Sequence, residues 1–184
     1  LESYNEFSQG LTDRSPDLVS ITESQGNKSE ASLLKKVEEI VSKIGDFSES
    51  DQTAIRLCLG IIISGQILDL QRFSSDGSSI LSLESDEELE DYTYRVAGSV
   101  GEFWTRMSLD HLFSIKEENI ESELFEKGVR FGKALQMINI LRDIPADLSL
   151  GRCYIPSRRL AEHGITPKDL LEPPSMDVFR PLYN

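Results

Sequence analysis

Gln136, Asn139, Asp143 and Asp147 stand at positions i, i+3, i+7 and i+11 of one segment. At ~100° per helical residue the four fall within a sector of roughly 80°, while Leu135, Ile138 and Leu141 point elsewhere and can pack. One helix face therefore carries two carboxylates a turn apart, with a carboxamide oxygen one turn before them. Hard oxygen donors in such a row suit magnesium, which keeps part of its water shell and binds substrate phosphates as well. That makes Asn139, Asp143 and Asp147 candidate metal ligands. Spacing alone fits a solvated acidic face more often than a metal site, so a second signal is needed.

The neighbouring residues supply that signal. Asn139-Ile140-Leu141-Arg142-Asp143-x-x-x-Asp147, then Gly151-Arg152-x-Tyr154-x-Pro156, resembles the second aspartate-rich motif of the squalene and phytoene synthases. These are head-to-head prenyl synthases of the trans-isoprenoid fold. Upstream, Tyr92-x-Tyr94-x-Val96-Ala97-Gly98-x-Val100-Gly101 is similar to the family's tyrosine-plus-VAGxVG helix. Gly65-Gln66-x-x-Asp69-Leu70 and the segment Arg159 to Ile165 resemble further family segments, so the likeness runs from about Ile55 to Leu171.

The resemblance implies a transferase that condenses two prenyl diphosphates, two farnesyl diphosphates being favoured, through a cyclopropyl diphosphate to squalene or a related product. It implies that Asp143 and Asp147, helped by Asn139, bind Mg²⁺ that grips a substrate diphosphate, and that Gln136 lines the same face. Arg142 and Arg152 become candidate diphosphate contacts, where a guanidinium fork matches phosphate oxygens. Tyr92 and Tyr154 would sit near the reacting carbons, where an aromatic face attracts a passing carbocation. Val96 and Ala97 would line room for a prenyl tail. Squalene-forming members use NADPH and phytoene-forming members lose a proton instead; no Gly-x-Gly-x-x-Gly is present to predict a separate nucleotide domain. Gly101-Glu102-Phe103-Trp104 and Gly151-Arg152-Cys153-Tyr154 lean toward bacterial squalene-type members.

Two departures from the family stand out. Pro145 lies between the aspartates, where it removes a helix hydrogen bond and predicts a kink that swings Asp147 off the stripe. No convincing match to the family's first aspartate-rich motif precedes Ile55. The expectation is a partial chain lacking N-terminal and C-terminal helices. The rival reading is a catalytically inactive helical relative that serves as a partner or assembly subunit.

The elements that must hold these residues read as helices. Leu1, Tyr4, Phe7 and Leu11 share one face, and Leu33 to Ile44 repeat with helical period before Gly45, a candidate left-handed cap. Thr12 to Glu30, rich in Ser, Asp, Asn, Gly and Pro, reads as a loop. From Ser50-Asp51 to about Phe73 apolar residues fill the segment almost all round, as in a helix at the centre of a bundle. Asp69 and Gln66 are costly there unless paired, and read as a buried network or as site lining. Helices are expected from Glu84 to Met107, with the acid run Glu84 to Asp91 a solvated start, and from Asn119 to Asp143. Ser157 to His163 forms a short helix capped by Gly164, and the proline-bearing tail from Glu172 is irregular. Trp104 and Phe103 read as core, and His111 and His163 carry no assigned role.

With 184 residues, 39% hydrophobic and 28% charged, the chain fits one globular domain over 1–184. The predicted class is all-α, a trans-isoprenoid-type helical bundle with a central apolar cavity. A net charge of −13 argues against nucleic acid as the main partner. Two cysteines and two histidines make a zinc cluster improbable and suit a reducing, cytoplasmic setting. Prenyl substrates make peripheral membrane contact plausible, the longest apolar run being short for a span. The sequence leaves the oligomeric state open.

Overall fold

The computed structural model describes residues 1–24, 26–74, 79–115 and 117–171. Four short helices open the chain: α1 (Glu2–Ser8), α2 (Val19–Ser24), α3 (Lys28–Leu34) and α4 (Val37–Ser42). The site is then built by α5 (Glu49–Arg72), α6 (Asp86–Thr93), a π-helical turn (Tyr94–Gly98), α7 (Ser99–His111), α8 (Glu118–Ser149) and α9 (Ser157–Glu162). Two strands of two residues each, β1 (Leu81–Ser82) and β2 (Arg152–Cys153), pair in parallel. The class is all-α. The tail from Glu172, with Pro173, Pro174 and Pro181, and the Ser75-Asp76-Gly77 turn signal lie outside the described residues.

The segment expected as loop holds α2 and the start of α3 instead. The Asn27 carboxamide oxygen accepts from the Ser29 and Glu30 amides, a cap that turns a polar stretch into a helix start. Gly45 is no left-handed cap: it sits in a 3₁₀ turn (Lys43–Asp46), and among the described residues the positive-φ glycines are Gly10, Gly151 and Gly164. The cap of α5 is Ser48. Its hydroxyl oxygen accepts from the Asp51 amide at 3.2 Å and its O–H donates to Asp51 Oδ2 at 2.8 Å.

By length and composition α5 would pass for a membrane span, with mean hydropathy 1.6 over its best window. It packs against α1, α7 and the π turn, but is not enclosed. Among the described residues nothing covers Leu57 and Leu70, which stay 60% and 53% exposed. Gln66 also faces outward, so only Asp69 of the two polar candidates is buried.

The run α6–π turn–α7 is continuous, as the sequence predicts, except for the π turn, where one extra residue slips the ladder. Arg95 in that turn donates to Asp91 Oδ1 at 2.8 Å and to the Ser64 hydroxyl at 2.9 Å. The acid run is a fastener more than a solvated start. Glu88 and Asp91 each lie 3.7 Å from Arg72 of α5, Asp86 pairs with Arg159, and Glu90 with Lys133. Against α8, the small residues of α7 and the π turn allow backbone contact. A Cβ on Gly101 would collide with the Gly128 carbonyl, and one on Gly132 with that of Ala97.

α8 runs unbroken through Pro145 to Ser149. Pro145 is on the exposed face, and losing one N–H within the last turns is tolerated there. Gly151 then takes φ 77°, reversing the chain so that β2 docks on β1. Leu81 N–H donates to the Gly151 carbonyl at 2.9 Å and Leu83 N–H to that of Cys153 at 3.1 Å. The core lies beneath this clamp. Phe73, Leu83, Leu89, Tyr92, Ile140 and Tyr154 form one buried cluster, and Leu148, Cys153, Ile155 and Leu160 a second.

Candidate active site

Four elements converge on Tyr154. From the β2 exit its phenol donates to Asp69 Oδ2 on α5 at 2.9 Å, and Arg152 Nη1 donates to the same oxygen at 3.4 Å. Its ring stacks on Tyr92 at the end of α6, centroids 4.6 Å apart and planes 24° apart, while Phe73 meets it edge-on at 5.1 Å. From α8, Gln136 Nε2 donates to the Tyr92 hydroxyl at 3.5 Å, and Asn139 Nδ2 donates to Gln136 Oε1 at 3.3 Å. A chain of polar contacts thus leads from the α8 stripe through two stacked phenols to a buried carboxylate.

Burial sets the electrostatics of this end. It raises the Asp69 carboxyl above the usual range, against the pull of the Tyr154 hydrogen bond and Arg152. Burial also raises both phenols, Tyr154 furthest, with Tyr92 and Asp69 adding to that shift. Asp147 is raised by burial first and by Asp143 next, with Arg152 opposing. Asp143 goes the other way, because Arg142 donates to both its oxygens at 2.7 and 2.6 Å and holds its carboxyl down. At neutral pH both tyrosines are neutral and present an aromatic face and an O–H.

Beyond Gln136 and Asn139 the site opens into an apolar trough of about 840 Å³ between α7 and α8. Val96, Ala97, Val100 and Gly101 form one wall, and Phe131, Gly132 and Leu135 the other. Trp104 is not core as expected: it is 63% exposed and lines the trough, because no described element covers this side of α7. Gln136 and Asn139 line the trough as well as holding Tyr92. They join the polar end to the apolar end.

Most of the residues that the α8 spacing and the family resemblance singled out are brought together: Tyr92, Val96, Ala97, Gln136, Asn139, Asp147, Arg152 and Tyr154. The proline does not swing Asp147 away. It is half-buried and lines a crevice with Ile144, Arg152 and Tyr154. Arg142 and Asp143 form an ion pair at the exposed rim, with Arg142 66% exposed. Among the described residues no three His, Cys, Asp or Glu side chains converge as a metal cluster. Two carboxylates and an amide oxygen are still a donor set magnesium accepts, because water and phosphate oxygens complete its shell. Asn139 donates its N–H to Gln136, which leaves its carbonyl oxygen available. The donor chemistry of Asn139, Asp143 and Asp147 therefore fits the ion, with Asp143 exchanging Arg142 for it.

Sequence reasoning left Asp69 undecided and missed Phe73. The available signal was their i, i+4 spacing, which sets a carboxylate and a ring on one face of an otherwise apolar helix. His111, given no role, lies with Nε2 2.8 Å from Asp51 Oδ1 and ties the end of α7 to the start of α5.

The squalene/phytoene synthase family model matches residues 17–184. The bifunctional lycopene cyclase/phytoene synthase of Gibberella fujikuroi is 37% identical over 97 residues, 53% of this chain and 17% of that protein. The one of Arthroderma gypseum is 36% identical over 124 residues, 67% of this chain and 20% of that protein. The chain thus spans about a fifth of these fungal relatives. The squalene synthase HpnC from Alicyclobacillus acidocaldarius superposes with a TM-score of 0.51 at 18% identity, covering 97% of this chain and 62% of that one, which speaks to fold alone.

Proposed function

The chain belongs to the squalene/phytoene synthase family, and from that membership we propose that its site couples two prenyl diphosphates head to head, two farnesyl diphosphates in the first instance. The observation that carries this reading is the junction at Gln136 and Asn139. There the polar stripe of α8 meets a trough lined mostly by apolar side chains. A diphosphate at the polar end and a prenyl chain along α7 and α8 satisfy both halves at once.

Magnesium held by Asp143 and Asp147, with Asn139, would supply Lewis acidity to the departing diphosphate. Arg152, and Arg142 once released from Asp143, take up the charge developing on the leaving oxygens. Tyr92 is joined to the α8 stripe through Gln136, and its outer ring face, the one Tyr154 does not cover, would attract an allylic cation formed there. The double bond of a second prenyl diphosphate attacks that cation, and loss of a proton to the released diphosphate closes the cyclopropane ring. The apolar walls of the trough keep water from quenching the cation to an alcohol. Lipid-loving substrates support a cytoplasmic protein in peripheral contact with membrane.

A second reading of the product rests on the fungal relatives, whose names are those of phytoene synthases. It lengthens the substrate to geranylgeranyl diphosphate. Incubating the intact protein with Mg²⁺ and each diphosphate, with and without NADPH, separates the readings by mass of the extracted hydrocarbon. Squalene formed from farnesyl diphosphate with NADPH supports the first, and phytoene without it the second. Absence of both hydrocarbon and diphosphate release overturns the enzymatic reading in favour of an inactive relative.

A further inference from the structure

Asp69 is 9% exposed in the last turn of an apolar helix, and burial raises its carboxyl. Its Oδ1 has no hydrogen-bond partner among the described residues, while Oδ2 takes both Tyr154 and Arg152. A carboxylate in such a place contributes little net stability, because desolvation offsets what its partners return. Its effect falls on those partners. The phenol O–H fixes the rotation of Tyr154, and the stacked geometry passes that placement to Tyr92, whose hydroxyl is held from the other side by Gln136. Arg152 is tied to the same oxygen, which sets a cation beside Asp147.

We infer that Asp69 is a positioning residue for the coupling reaction: from α5 it orients the Tyr92–Tyr154 aromatic pair and Arg152 against the α8 stripe without touching substrate. This rests on the coupling activity proposed above. Without the anchor, the Tyr154 ring is free to turn and Arg152 to leave, and displacement of about 1 Å at a reacting centre can cost about 10²-fold in rate. Binding of the prenyl tail depends on the trough, which Asp69 does not line.

The test compares Asp69→Asn and Asp69→Glu with wild type in the intact protein. Asp69→Asn removes the charge. Asp69→Glu keeps it and displaces the oxygen by one methylene, so it serves if the neutral variant fails to fold. Positioning predicts that kcat falls about 10- to 100-fold in either variant, with KM within about threefold and unchanged helicity. Asp51→Asn, which breaks the pair with His111 at the opposite end of α5, should lower Tm and leave kcat alone. Wild-type kcat in Asp69→Glu, or a loss that tracks Tm across all three variants, overturns the inference. Crystal structures of wild type and Asp69→Asn decide the case where wild type itself has no activity, which would sink the functional reading separately. The Tyr154 ring should turn or Arg152 leave in Asp69→Asn, and an unchanged Tyr92–Tyr154 stack and Arg152 placement overturns the anchor itself.

Discussion

The two ends of the site are made by opposite means. At the polar end, Asp69, Tyr92, Asp147, Arg152 and Tyr154 come from four elements; hydrogen bonds tie Asp69 to Tyr154 and Arg152, and Tyr154 stacks on Tyr92 inside a buried core cluster. At the trough end, α7 and α8 touch backbone to backbone through glycines, and large side chains such as Trp104 and Phe131 stand exposed around an open groove. One end sets orientation; the other supplies area and shape. Chemistry that depends on orientation belongs to the first, and binding of a featureless chain to the second. Variants at the polar end should therefore change kcat, and variants in the trough should change KM or stability.

The largest expected effect lies on the α8 stripe. Asp147→Asn, nearly isosteric, should cut Mg²⁺-dependent diphosphate release by about 10²–10³-fold, the order found when one preorganised electrostatic group is removed. Circular dichroism should be unchanged, because Asp147 makes no helix contact that the amide cannot make. A variant that keeps wild-type turnover would break the comparison at its stronger end.

Next is the glycine contact. Gly101→Ala sets a methyl against the Gly128 carbonyl, and backbone cannot yield as a side-chain tip can. The helices must part, at a cost of about 1–3 kcal/mol, visible as a lowered Tm. Substrate affinity should fall with it, because Gly101 and Gly128 line the trough. A smaller effect is expected of Trp104→Ala. With the indole 63% exposed, stability should move by less than ~0.5 kcal/mol. Losing ~1 kcal/mol of apolar contact with a bound tail should raise KM about fivefold at constant kcat. An unchanged KM would leave the trough without a role in binding.

How much of the fold and site was legible in the sequence depends on the range of the interactions. The α8 stripe was readable because 3.6-residue periodicity is local and sets Gln136, Asn139, Asp143 and Asp147 on one face. The pairing of Asp69 with Tyr154 spans 85 residues, and no spacing rule connects them. The π turn escaped notice because Tyr94 to Gly98 has the composition of any helix, the difference being one hydrogen-bond step. Trp104 and Leu57 were read as interior because apolar side chains usually are, and composition cannot tell which faces find a neighbour. Pro145 misled for a related reason: its cost depends on where the unpaired carbonyl and the ring point, and here the ring lies outside.

The smallest effect sharpens the comparison, because it concerns a polar fastener at the trough end. His111 Nε2 meets Asp51 Oδ1 at 2.8 Å, joining the last turn of α7 to the first of α5. The Asp51 hydrogen bond, then its charge, raises the imidazole above its ordinary value, and Asp110 adds slightly. The His111 hydrogen bond, helped by Ser48, lowers the Asp51 carboxyl. The raised imidazole stabilises fully below its unfolded pKa and loses that contribution as pH climbs through the folded value. The lowered carboxyl stabilises above its unfolded pKa and loses its contribution as pH falls through the folded value. The strap is thus tightest between the ordinary carboxylate and imidazole ranges, about pH 4 to 6.5. Wild-type Tm should decline from pH 6 to 8 more steeply than that of His111→Gln, while the kcat ratio of the two proteins stays flat. Equal slopes would reduce the pair to a contact without consequence, and a kcat ratio that followed pH would mean that the trough end helps to orient the reacting groups after all.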